Sequence, residues 1–88
     1  TGISPIAAGK VVYSGWKGSY GNLVIIDHGN GIQSYYAHCN SLYVSVGEQV
    51  DSSKTIAAVG STGNSTGPHL HLEIRVNGSR VNPQYYLY

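Results

Sequence analysis

Polar and apolar residues alternate without a break in His69-Leu70-His71-Leu72-Glu73-Ile74-Arg75-Val76. A strand points successive side chains to opposite faces, so this run predicts a strand over 69–76. Leu70, Leu72, Ile74 and Val76 share its core side, and His69, His71, Glu73 and Arg75 share the other. Shorter β-rich segments precede it: residues 10–13, the run Leu23-Val24-Ile25-Ile26 continuing to Asp27 or His28, residues 32–37, the alternation from Tyr43 through Val50, and the apolar run 55–59. Gly15, Gly18 and Gly21 interrupt the first two. Gly29-Asn30-Gly31 and Asn77-Gly78 supply residues that tolerate positive φ and predict hairpin turns. Residues 61–67 read as a loop of small polar residues closed by Pro68, which biases Gly67 to extended geometry.

No stretch carries a helical period. Many short strands with Gly and Asn turns predict an all-β fold, a small twisted antiparallel sandwich or barrel-like sheet pair, in one domain over residues 1–88. The composition agrees: 12 Gly, 8 Tyr beside one Trp, and no Phe in 88 residues. Such a length allows only a small core.

Charge narrows the partners. Five Lys and Arg against four Asp and Glu leave a net +1, and the basic residues are scattered, so no field able to neutralise many phosphates exists and nucleic acid is not an expected partner. No apolar run approaches the ~20 residues of a transmembrane helix, and the first residues lack a signal-peptide pattern. Cys39 is the single cysteine, which excludes an internal disulfide and a cysteine-built zinc site. It follows His38 directly, and neighbours on a regular strand face opposite ways, so the expectation is a small buried apolar residue rather than a thiol nucleophile.

The chemistry concentrates on histidine. With a rise of ~3.3 Å per residue, the Cβ atoms of His69 and His71 stand roughly 6.5–7 Å apart, close enough for two imidazoles to converge on one ion or substrate. A catalytic zinc takes about three protein ligands and one water, and a His-x-His pair supplies part of that set. The same spacing also suits a solvated polar face. His28, beside a turn, suits a hydrogen bond to that turn. Glu73 could act as a base, orient His71 or serve the structure. Tyr20, Tyr35 and Tyr36 suit either a peptide groove or a core.

The setting of His-x-His is more specific than the pair. Ser61-Thr62-Gly63-Asn64-Ser65-Thr66-Gly67-Pro68-His69-Leu70-His71-Leu72-Glu73 resembles the C-terminal signature of the lysostaphin-like zinc peptidases of peptidoglycan. Residues 22–31 followed by Tyr36-Ala37-His38, and Val46-Gly47 through Gly60, are similar to the same family, so the resemblance covers nearly the whole chain. It implies the duplicated-hybrid-motif type of β fold and a metalloendopeptidase acting on peptide cross-links, in an extracellular, cell-wall or periplasmic setting. It also implies His71 as a zinc ligand, with His69 and His38 handling protons or the oxyanion, and a cleft across which His38 faces the other two.

One part of the family pattern is missing. Its N-terminal His-x-Gly-x-Asp motif, the source of two further zinc ligands, occurs nowhere in this chain. In one alignment Thr1-Gly2-Ile3-Ser4 is its remnant, with Ser4 in the aspartate position. In the other, residues 4–12 form the following strand and the motif lies before Thr1, which suits Gly9-Lys10-Val11-Val12 better. Either way the chain alone is expected to hold zinc weakly, unless an upstream segment or partner chain completes the site. A non-catalytic relative acting as a scaffold or an activator of another wall hydrolase is the alternative function. A carrier domain modified at Lys54 is a third and leaves the histidines unexplained.

Overall fold

The computed structural model describes residues 2–59 and 71–81. Every pairing among them is antiparallel. The strands are β1 (Gly2–Ile3), β2 (Gly9–Trp16), β3 (Asn22–Gly29), β4 (Ile32–Leu42), β5 (Gln49–Val50), β6 (Ala57–Val59), β7 (His71–Val76) and β8 (Ser79–Val81). They form one curled sheet in the order β1-β6-β4-β3-β2-β5, with β7 added to β4 and β8 to β7. The all-β class is therefore realised as a half-barrel, with one sheet folding round its own core rather than two stacked sheets.

β4 organises the sheet. One edge pairs with β3, and the other is shared, because residues 32–37 pair with β7 whereas Cys39, Ser41 and Leu42 pair with β6. The changeover falls at His38, whose φ of 61° is left-handed. Asn22 pairs with Cys39 and Val24 with Tyr36, so Leu23 alone stands opposite both Ala37 and His38. That two-for-one register is a β-bulge, which bends a strand and shifts the phase of its side chains. Tyr36 and Cys39, three residues apart, consequently enter the same core cluster. This also explains why strict alternation predicts an end at residue 37 while β4 runs on to Leu42.

The inner cluster gathers Ile3, Val11, Val24, Ile26, Tyr36, Cys39, Val44, Val50, Ile56 and Ala57. The opposite face of β3 and β4 buries Leu23, Ile25 and Ala37 beneath half-buried Tyr13, Tyr20 and Tyr35. Because both faces are covered, Leu23 to Ile26 is a continuous apolar run instead of an alternating one. The segment before β5 departs from its alternation: Val44 is 6% exposed but Val46 is 62% exposed. Residues 45–48 turn there, with Gly47 at φ 94°, and Gly47 N–H donates to the carbonyl of Val11 while Val11 N–H donates to that of Glu48. Only Gln49 and Val50 remain as strand. A 3-10 turn at Gly18–Tyr20, also absent from the expectation, lifts Tyr20 over the second cluster.

His28 is structural. Its Nδ1 lies 2.8 Å from the carbonyl oxygen of Ala8, which can only accept, so that nitrogen carries a proton. Its Nε2 meets Ser34 Oγ at 2.7 Å, and Ser34 in turn meets Tyr36 Oη at 2.8 Å. The N–H of Ile6 donates to the same Tyr36 oxygen. This chain fastens residues 6–8 to the sheet. Cys39 is fully buried, and its thiol donates to the carbonyl of Tyr36.

Gly9 is fixed by contact rather than by conformation. A Cβ there would lie 2.6 Å from the Asp27 carbonyl oxygen and 2.6 Å from a methyl of Ile26. Gly9→Ala is expected to destabilise the fold by roughly 1–3 kcal/mol, the usual range for overpacking, measured by urea unfolding; wild-type stability would disprove the close approach. Burial also pushes the Cys39 thiol from 9.0 up to about 11 and raises the Tyr36 phenol. Unfolded chains lose these protons at lower pH. The stability tied to the protonated thiol is therefore complete below about pH 9 and is lost as pH climbs through about 11. The urea midpoint of Cys39→Ala should consequently fall less steeply across that window than that of the wild type, and parallel slopes would refute the assignment.

Candidate functional site

Register across β2, β3, β4, β7 and β8 sorts the outer face into three rows. The first holds Gly15, Leu23, Ala37 with His38, and the backbone of His71, which is in register with Ala37. The second holds Tyr13, Ile25, Tyr35 and Glu73. The third holds Lys10, Asp27, Gln33, Arg75 and Arg80. Chemistry thus changes along the strands from histidine through tyrosine to cation.

His38 is 7% exposed and sits at the bulge. Histidine in left-handed backbone costs roughly 1–2 kcal/mol relative to glycine, a strain that persists only when the surroundings hold it. Asn22 supplies part of the hold: its amide Nδ2 donates to the carbonyl of Cys39 at 3.2 Å and to that of Asn40 at 3.5 Å, just past the bulge. Of the three histidines expected at the site, positions 38 and 71 are described, and their backbones are brought together. They lie on paired neighbouring strands, because β4 and β7 run side by side and the register partner of His71 is the residue before His38. His69, the loop over 61–68 and the side chain of His71 lie outside the described residues.

Glu73, two residues beyond His71, anchors a network that sequence reasoning saw only in pieces. Its carboxylate is 2% exposed. Oε1 accepts from Arg75 Nη2 at 2.9 Å, Arg75 Nε at 3.3 Å and the Tyr20 hydroxyl at 3.4 Å, and Oε2 accepts from Arg80 Nη2 at 3.2 Å. Arg75 also donates to Tyr20 at 3.2 Å and lies 4.8 Å over the Tyr35 ring, which meets Tyr20 with ring centroids 6.2 Å apart. A removable clue existed in the sequence: a two-residue turn at Asn77-Gly78 sets Arg75 directly opposite Arg80, a repulsive pair unless a carboxylate lies between them.

Among the described residues no group of three or more His, Cys, Asp or Glu could hold a metal. Imidazole is a suitable zinc donor, but His38 and His71 together fall short of the three protein ligands of a catalytic site.

The bulge yields a stability test. His38→Asn keeps a residue that tolerates left-handed backbone, whereas His38→Val places a β-branched one there. Asn and Val differ little in size, so their difference isolates the backbone. His38→Val should be less stable than His38→Asn by about 2 kcal/mol in urea unfolding; equal stabilities would mean that residue 38 relaxes out of the bulge.

Comparison with known proteins bears on the family and the fold. The chain is 47% identical over 83 residues to the DD-carboxypeptidase/endopeptidase Mpg of Neisseria meningitidis serogroup B, covering 94% of the chain and 19% of that protein. It is 44% identical over 87 residues to the murein hydrolase activator EnvC of Escherichia coli K12, covering 99% of the chain and 21% of that protein. The chain therefore spans about a fifth of the length of each of these two relatives. The catalytic domain of lysostaphin from Staphylococcus simulans superposes with a TM-score of 0.92 at 33% identity, covering 98% of this chain and 69% of that one. The description of peptidase family M23 fits residues 1–83. With the fold, the family description and these relatives in agreement, the chain belongs to peptidase family M23.

Proposed function

We propose that this chain is the major part of a zinc endopeptidase domain that hydrolyses peptide cross-links in bacterial peptidoglycan, outside the cytoplasm. The observation that carries the reading is the strained bulge that sets His38 beside the strand of His71. In this reading His71 is a metal ligand and His38 and His69 are the catalytic groups. The family is zinc-dependent, and zinc, when bound, supplies a water acidic enough to attack a carbonyl. Remaining ligands come from a segment upstream of Thr1 or from a partner chain. His38, whose backbone is fixed by the bulge and which is largely shielded from solvent, suits proton transfer or stabilisation of the oxyanion. Tyr13, Tyr20 and Tyr35 offer amphipathic walls for a peptide.

A second reading has a specific observation behind it. EnvC, a murein hydrolase activator, matches the chain almost as well as Mpg does, so the same fold could serve to activate another hydrolase.

Digestion of purified cell walls by a version extended at its N-terminus separates the two. The endopeptidase reading expects soluble peptide fragments, a loss of roughly 10²–10⁴-fold in His71→Ala and in His38→Asn, and loss with a zinc chelator that added zinc reverses. Equal release in wild type, His71→Ala and chelator-treated samples would remove the metallopeptidase assignment. No release alone, with acceleration of a second wall hydrolase that His71→Ala retains, would establish the activator.

A further inference from the structure

The outer face beside the histidines carries more positive charge than the rest of the chain. Lys10, Lys17, Arg75 and Arg80 lie there with Asp27 and Glu73, a surplus of +2, while Lys54 with Glu48 and Asp51 leaves −1 elsewhere, and the two make the net +1 of the sequence. The cations are arranged on aromatic rings. Lys17 Nζ lies 5.3 Å from the centroid of Tyr13, and the Arg75 guanidinium lies 4.8 Å from that of Tyr35. Tyr20 closes the gap between Tyr35 and Arg75.

These charges are incompletely neutralised. Glu73 is one carboxylate shared by two guanidiniums, with Oε1 on Arg75 and Oε2 on Arg80. Among the described residues no carboxylate pairs with Lys10 or Lys17. The Arg80 side chain is 61% exposed although one of its nitrogens is anchored. Rings and carboxylate fix the long side chains in place, so little rotamer freedom remains to be lost when a ligand arrives. An uncharged ligand covering this strip replaces the water on the cations with carbonyl acceptors alone, whereas a carboxylate replaces it with stronger hydrogen bonds between opposite charges.

We infer that the strip formed by Lys17, Tyr13, Tyr20, Tyr35, Arg75 and Arg80 is a subsite for a carboxylate-bearing peptide. The substrate class of the neighbouring histidine site is then a stem peptide with free carboxyl groups, not an uncharged glycine bridge. This inference rests on the peptidoglycan reading above.

The test is retention of the chain on purified cell walls at low ionic strength, with synthetic peptides as competitors. The competitors are a stem pentapeptide with free carboxyl groups, the same peptide with those groups amidated, and pentaglycine amide. The acid form should compete about tenfold better than either amide, and this preference should shrink as salt rises. Lys17→Gln with Arg80→Gln should reduce it to about threefold or less, and Lys54→Gln should leave it intact. Lys17→Gln alone touches only an exposed ring contact, so a partial loss there cannot arise from unfolding. Equal competition by acid and amide, or a preference that survives the double substitution, overturns the subsite and leaves the strip to an acidic protein partner. Absence of any retention on walls defeats the peptidoglycan reading itself.

Discussion

One left-handed residue governs the architecture. β4 is too long to keep a single partner along its outer edge in a sheet that curls, and the curl requires the strand to leave β7 and join β6. A regular strand cannot do that without flipping every later side chain from core to solvent. The extra residue at the His38 bulge absorbs the change, so that Tyr36 before it and Cys39 after it both face the inner core. The backbone feature that closes the half-barrel is also the one that sets His38 next to the paired strand of His71.

That dual use explains what the sequence made legible. The regular part of β7 was readable, since Leu72 and Ile74 pack inward and Glu73 and Arg75 face outward as their alternation requires. The hairpin turns at Asn30-Gly31 and Asn77-Gly78 were equally readable, with positive φ at all four residues. What escaped depends on contacts distant in the chain. A bulge leaves no mark in a hydrophobic pattern except an apparent end of strand, which is why residues 38–42 were missed. The alternation over 43–50 was misleading because β2 takes up the backbone groups of Val11 through a turn at Gly47, which no local preference specifies. At the site, the histidine spacing and the family motifs pointed to positions 38, 69 and 71, but nothing local reveals that Glu73 is shared by Arg75, Arg80 and a tyrosine 53 positions away.

The two faces of the sheet handle polarity differently. On the inner face, hydrogen bonds link His28 through Ser34 to Tyr36 and hold the N-terminal segment. The outer face gathers ionised groups around one buried carboxylate and leaves exposed guanidinium and ammonium ends at its margin. Such a network adds little net stability compared with a well-packed apolar patch, since desolvation offsets much of the attraction. Its place on the face of β7 that carries Glu73 and Arg75 instead fixes charge beside the strand of His71.

The same reasoning bears on whether the fold works as a hydrolase or as an activator. A scaffold needs the bulge at position 38 but not an imidazole, and glycine or asparagine would adopt a φ of 61° with less strain. The proposed hydrolase reading calls for both, because in it the ring of His38 handles protons beside the strand of His71, the proposed ligand. The strain at His38 thus has a use in the proposed endopeptidase reading and none in the activator reading. The fold alone draws no such distinction, since every core contact that shapes the half-barrel is available to either kind of protein.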